Sequence, residues 1–268
     1  MKTSKKKNLK NRDYWNERAI IRDKKYLKDV KEVEKLLKKE YVKAQKEIKK
    51  EIDAYYLSAK DSDLSEYEKY HLESTITAIN RELDRLFQQE EELLTQAFIN
   101  KYSSSVKETC AELNVSFSEM PESFIREVIS QKWSGLSFSE RIWDKHRAKL
   151  ATNIKEELTK GIIRGDSIRD ISERIKKKFM VTQNEASRLV RTEMTYVMNQ
   201  ATVNTYKEHD ISHYQFLAFI DNRTSEICKS RDGEVISVDE AKAGSNLPPL
   251  RYSPSKLPFN NNSNYNIW

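Results

Sequence analysis

With 268 residues, 37% hydrophobic, 34% charged and a mean hydropathy of -0.82, the chain can bury a sizeable core but is too polar for a bundle of membrane spans. No stretch nears the roughly 18 apolar residues of a span, and no apolar run follows the basic N-terminus, so a soluble intracellular protein without membrane contact is expected. Cys110 and Cys228 fit neither a disulfide framework nor a four-ligand zinc site, and the +6 net charge is concentrated in residues 1–60, with 20 Lys/Arg against 10 Asp/Glu.

Residues 1–12 read as a basic disordered arm in which Lys5, Lys6, Lys7, Lys10 and Arg12 are candidate contacts for DNA phosphates or an assembly partner. The same lysines would also serve simply to solvate a helix, since many lie within reach of Glu or Asp three or four residues away.

No glycine or proline interrupts the first 120 residues. From Asp13 to Ala59 the apolar positions Val30, Val33, Leu37, Tyr41, Ala44, Ile48, Ile52 and Tyr55 advance by three or four, which predicts one long helix on an eleven-residue repeat. A polar break then leads to Ser65 and Glu68, spaced as a capping box. A second stripe follows through Leu72, Ile76, Ile79, Leu83, Leu86, Leu93 and Ala97, with Glu90 as its polar interruption, and fades near 101–105 before a third segment through Val106, Cys110 and Leu113. Neither stripe can be buried alone, so 13–118 is expected to be a long helical hairpin.

After Pro121 the helices shorten: Glu122–Trp133, Ser139–Gly161, Ser167–Phe179 and Gln183–Lys207. Gly161 and Gly165 read as bracketing a tight turn, and Thr182 with Glu185 as a second capping box. On the last helix Ala186, Val190, Met194, Val197 and Ala201 share one face and Arg188, Thr192, Thr195 and Asn199 another, one of which should be core. Beyond Asp210 the period falls to two, with strands expected at 213–220 and 234–238 and a hairpin-type turn at Asp232-Gly233. Residues 119–243 thus form a helical then α+β module, and 244–268, rich in Pro and Asn, an extended or disordered tail. The fold class is mostly α, ending in a short antiparallel hairpin.

Arg141-Ile-Trp143, Gly161-Ile-Ile-Arg-Gly165, Ala186-Ser-Arg-Leu-Val-Arg191-Thr192-Glu193, Asp221-Asn-Arg223 through Cys228, Asp232-Gly233 and the Pro248-Pro249 pair follow one another in an order that resembles the Mu protein F-like head-morphogenesis family of tailed bacteriophages. The resemblance implies a few-copy minor head protein of the virion, in the capsid interior or at the portal vertex. Its implied partners are portal, major capsid or scaffold protein, and it is packaged with DNA and sometimes ejected with it. Family members continue from the proline pair to a histidine and a cysteine, whereas Arg251 and Pro254 stand here, so the ending reads as replaced by truncation or frameshift.

Catalysis has little to stand on. No phosphate-cradling glycine loop, H-E-x-x-H or G-x-S-x-G occurs, and no cofactor, metal or catalytic residue is expected. Arg191 and Glu193, two apart, cannot face each other and are expected to tie their helix to separate neighbours. Asp221, Glu226 and Asp232 would be the carboxylates of a metal-dependent hydrolase or nuclease, but a turn held by Asx and ionic contacts is favoured for them and for Arg223. His209 and His213 fall where helix gives way to strand, which argues against a shared zinc. Trp133 and Trp143 are expected in the core of the second domain. A stand-alone basic helical protein that binds nucleic acid is the remaining alternative.

Overall fold

The structure, a computed structural model, describes residues 2–59, 66–218, 225–250 and 265–267. Three long helices dominate: α1 (Lys2–Ala59), α2 (Glu66–Leu113) and α6 (Ile168–Glu208). Between α2 and α6 come α3 (Glu122–Ser130), the single turn α4 (Phe138–Glu140), a π-helix (Arg141–Arg147) and α5 (Ala148–Arg164). Beyond α6 lie β1 (His213–Ala218), α7 (Glu226–Arg231), β2 (Val235–Ser237), β3 (Ala243–Gly244), β4 (Leu247–Leu250) and β5 (Tyr265–Ile267). The chain is mostly α, as its periodicities predict. α1 begins at Lys2, so its first turns run through the segment expected as an arm.

Two compact units result. Unit 1 comprises Met1–Glu32, Ala97–Gly135 and Val190–Trp268, and unit 2 comprises Val33–Gln96 and Leu136–Leu189. α1, α2 and α6 supply residues to both.

Every position of the α1 stripe from Val30 to Tyr55 is buried. α2 follows the same eleven-residue repeat, but in a register that the apolar residues alone conceal. Its buried positions run Ile79, Leu83, Phe87, Glu90, Leu94 and Phe98, while Leu93 and Ala97 are only half-buried. Glu90 therefore occupies a core position rather than interrupting the stripe. The expected fading near 101–105 does not occur, because Lys101, Tyr102 and Ser105 are themselves buried and α2 runs unbroken to Leu113.

Two further boundaries differ from expectation. Thr182 caps no helix: it is buried, its hydroxyl donates to the Lys178 carbonyl one turn back, and α6 continues through it. A capping box does form between Ser137 and Glu140, whose side chains and backbone amides bond reciprocally at the entry to α4, while Ser65 of the box expected with Glu68 lies outside the described residues.

Gly161 lies inside α5 and brackets no turn. Gly165 alone takes the left-handed conformation, φ +69, and closes α5 with its amide on Ile162 and that of Asp166 on Gly161. A Cβ on Gly161 would stand 2.3 Å from Ile171 Cδ1 and 2.5 Å from Cγ1, so the glycine is required for α5 to approach the first turn of α6. Overpacking of about 1–3 kcal/mol in Gly161→Ala exceeds the roughly 1 kcal/mol that alanine gains in helix propensity, so denaturant unfolding should show a net loss. Adding Ile171→Ala, which removes both contacting atoms, should relieve the clash, so that the double variant loses less than the two single losses combined; a stabilised Gly161→Ala protein would contradict the close approach.

In unit 1, β1 alternates outward His213 and Gln215 with inward Tyr214, Phe216 and Ala218. β2 and β5 flank it, both antiparallel, in the order β2-β1-β5. The expected antiparallel pair is present, but Asp232-Gly233 joins α7 to β2 rather than β1 to β2. Gly233, φ +88, turns the chain so that its amide bonds Phe216. The inward residues of β1 pack with Val203 and Tyr206 of α6, Cys228, Ile236, Val238 and Leu247.

Candidate functional site

The residues singled out in the sequence divide between the units. Arg141, Trp143, Gly161 and Gly165 belong to unit 2, while Arg191, Thr192, Glu193, Cys228, Asp232, Gly233, Pro248 and Pro249 belong to unit 1. Asp221 and Arg223 lie outside the described residues, as do the side chains of Lys5, Lys6, Lys7, Lys10 and Arg12.

In unit 1 the face of α6 from Val190 to Ala201 is core, since Val190, Met194, Val197 and Ala201 are all buried. Glu193, 1% exposed, accepts the Trp133 indole N–H at 2.9 Å. Trp133 in turn stacks on Tyr196, with ring centroids 5.3 Å apart. The Arg191 carbonyl accepts from the Tyr26 hydroxyl at 2.9 Å, and Thr192 is half-buried beside it. Asn199, buried, donates through Nδ2 to the Pro248 carbonyl, which fastens the proline pair of β4 to α6. Glu193→Ala should cost about 1.5–3 kcal/mol, because the hydrogen bond lost is charge-assisted and the indole donor stays behind. Glu193→Gln keeps an acceptor and should lose less by thermal unfolding; equal losses would contradict this.

Of the three carboxylates that a metal-dependent hydrolase would use, Asp232 and Glu226 have other partners, and Asp221 lies outside the described residues. Asp232 Oδ1 accepts the Ala218 amide at 3.0 Å, holding the end of β1, and Glu226 pairs with Lys229 at 2.8 Å. Cys228 is buried and free; its amide and Sγ both meet the Ser225 hydroxyl, at 3.4 Å and 3.0 Å. His213 Nδ1 meets Ser212 at 3.0 Å. Among the described residues no three His, Cys, Asp or Glu side chains are grouped to hold a metal ion.

The two tryptophans do not share one core. Trp133 is in unit 1 and Trp143 in unit 2, both half-buried, and each indole N–H reaches a carboxylate, as Trp143 donates to Glu91 at 2.7 Å. Arg141, half-buried, opens the same π-helix.

Sequence reasoning missed a buried polar cluster in unit 2. Glu90, fully buried, accepts the Tyr41 hydroxyl on Oε2 at 2.7 Å, while Oε1 stands 3.6 Å from His146 Nδ1 without a hydrogen bond. Burial, and then the Glu90 charge, hold the Tyr41 phenol well above the usual tyrosine range. The π-turn presents His146 to Glu90 on one side and to a groove of about 540 Å³ lined with Lys149 and Glu185 on the other. A second missed network lies in unit 1, where Arg22 reaches Glu112 at 3.1 Å and Glu108 at 3.8 Å. These contacts join helices to one another.

Among the described residues no helix is long and apolar enough to cross a membrane. No solved structure matches the chain. The curated NAD(+)--arginine ADP-ribosyltransferase EFV of Enterococcus faecalis (strain ATCC 700802 / V583) is 28% identical over 121 residues, 44% of this chain and 25% of that protein, so the chain spans about a quarter of that relative's length. The sequence profile of the family described as phage Mu protein F like protein matches residues 152–253, which covers the signature from Gly161 to the proline pair. Residues 152–253 of this chain are therefore similar to the phage Mu protein F like family.

Proposed function

We propose that the chain is a phage minor head protein, a virion component that docks on portal, major capsid or scaffold subunits from the capsid interior or the portal vertex. What carries this reading is the family match over 152–253 together with the positions its signature residues take. Gly161 permits a helix contact, Gly165 caps, Glu193 anchors Trp133, Asp232 closes β1 and Pro248 is tied to Asn199. Such residues preserve a surface; they do not assemble a reaction. ADP-ribosyl transfer belongs by name to a relative of which this chain spans about a quarter, and no catalytic role is carried over from it.

The basic α1 would meanwhile contact packaged double-stranded DNA without reading its sequence. Co-expression of the full chain with the portal protein of the same phage tests the docking. A complex that survives affinity purification and size exclusion is expected. Two folded proteins that elute separately would overturn the reading in favour of a nucleic-acid-binding protein acting alone.

A further inference from the structure

The outer face of α1 in unit 2 carries lysines that the fold does not use. Val33, Leu37, Tyr41, Ala44 and Ile48 are its buried stripe. At about 100° per residue, Lys35, Lys38, Lys39, Lys43 and Lys46 project from the opposite side, all exposed. With Val42 and a single carboxylate, Glu47, they line a shallow groove of about 400 Å³.

The bland account of surface lysines is that neighbouring carboxylates neutralise them. Here Glu47 is taken by Lys50, and Asp53 by Lys49. None of the five groove lysines forms an ion pair among the described residues. Lys35, Lys39 and Lys43 also stand four apart in a single row, an arrangement of like charges that disfavours a helix. A solvated face with no other task intersperses both signs. A row of cations without ion pairs, in which Glu47 offsets Lys43 alone and only in part, is therefore held at a cost in helix stability that an anionic partner would remove.

We propose that this ridge is a docking surface for the backbone phosphates of duplex DNA. The proposal rests on the head-protein reading for its setting, and it names the residues of that DNA contact. At about 1.5 Å per residue the ridge from Lys35 to Lys46 is roughly 16 Å long. One strand of a duplex offers a phosphate about every 3.4 Å of axis, so roughly five phosphates lie alongside five lysines. The side chains are point charges on flexible stems, with no arginine fork and no asparagine or glutamine among them to read base edges. The contact is sequence-blind, as a protein lying against a packaged genome requires. An acidic protein surface would instead present fixed carboxylates, which forked, pre-organised donors match better than mobile lysines do.

The test is fluorescence anisotropy of the full-length chain with a labelled duplex of random sequence across a salt series. Wild type should bind, and log K should fall with log salt at a slope of about −4 to −5. A protein carrying Lys35→Gln, Lys39→Gln, Lys43→Gln and Lys46→Gln should lose about three to four units of that slope and bind roughly a hundredfold or more weakly at moderate salt. Its circular dichroism should match wild type, since the changed residues are exposed. A second protein with Lys5, Lys6, Lys7, Lys10 and Arg12 replaced by Gln should keep most of the slope. The proposal is overturned by absent binding at low salt, by an unchanged slope in the ridge variant, or by polyglutamate of equal charge displacing the duplex as well as unlabelled DNA does. Co-purification with portal reads the head assignment separately, so either result can fail without the other.

Discussion

Above a pH of about 10, unit 1 is expected to lose stability at up to about 4 kcal/mol per pH unit, enough to unfold a domain of ordinary stability within a few pH units. The cause is three buried phenols. Burial raises Tyr102, Tyr206 and Tyr214, in the last case to about 12, and Arg22 beside Tyr206 offsets only part of the effect there. The folded chain therefore keeps these protons where the unfolded chain, titrating near its ordinary value of about 10, has already released them. Their contribution is whole below that pH and is lost as the pH climbs through the folded value, about 12 for Tyr214. Each costs about 1.4 kcal/mol per pH unit across its window. Urea unfolding at successive pH values should show the decline together with the rise in tyrosinate absorbance. Tyr206→Phe should reduce its slope by about a third. Stability that stays level between about pH 10 and 12 would contradict the burial of these hydroxyls.

Arg22→Met should cost about 3–5 kcal/mol at neutral pH, because it strips a buried carboxylate of its nearest cation while keeping most of the side-chain volume. Arg22 and Glu112 are 8% and 9% exposed and 3.1 Å apart, and Arg22 also donates to Thr109 at 3.2 Å. Arg18, at 3.6 Å from Glu112, is the more distant guanidinium. Burial already pushes the Glu112 carboxyl above its usual value, although Arg22 and Arg18 pull it down. Removing Arg22 raises it further. A raised carboxyl favours the fold when protonated, so the penalty should be largest at neutral pH and shrink as the pH falls through the folded value. Glu112→Leu added to Arg22→Met should recover most of the loss, since an apolar pair removes the desolvation cost as well as the attraction. A loss that is the same at pH 7 and at about pH 4 would show that packing rather than charge is responsible.

How much of this was legible follows from the length over which each signal acts. The α1 stripe and the core face of α6 are helical periods carried by the residues themselves, and both are buried as read. Glu90 stood out in the sequence as a polar residue inside an apolar stripe, but its partners Tyr41 and His146 did not, because the π-turn shifts His146 out of α-helical spacing. Gly161 reads as a turn from its neighbour Gly165, whereas its reason is Ile171 on another helix. At Thr182 a valid local cap signal loses to burial on both sides, by Phe179 and Ala186, which keeps α6 continuous. Trp133 and Trp143 read as residues of one core, but the chain passes from unit 1 to unit 2 between Gly135 and Leu136, which no local signal marks. The signature order was legible because each element is a local motif; the split of that signature between units was not.

If the proposed function is right, this scaffold joins a phage head. Quantitative mass spectrometry of purified heads assembled with the full chain tests it most directly. A small, reproducible number of copies per head is predicted, retained through a gradient and lower for Glu193→Ala, which destabilises the Mu F-like region. Heads of normal composition that contain none of the chain, while it accumulates folded in the same lysate, would contradict the account.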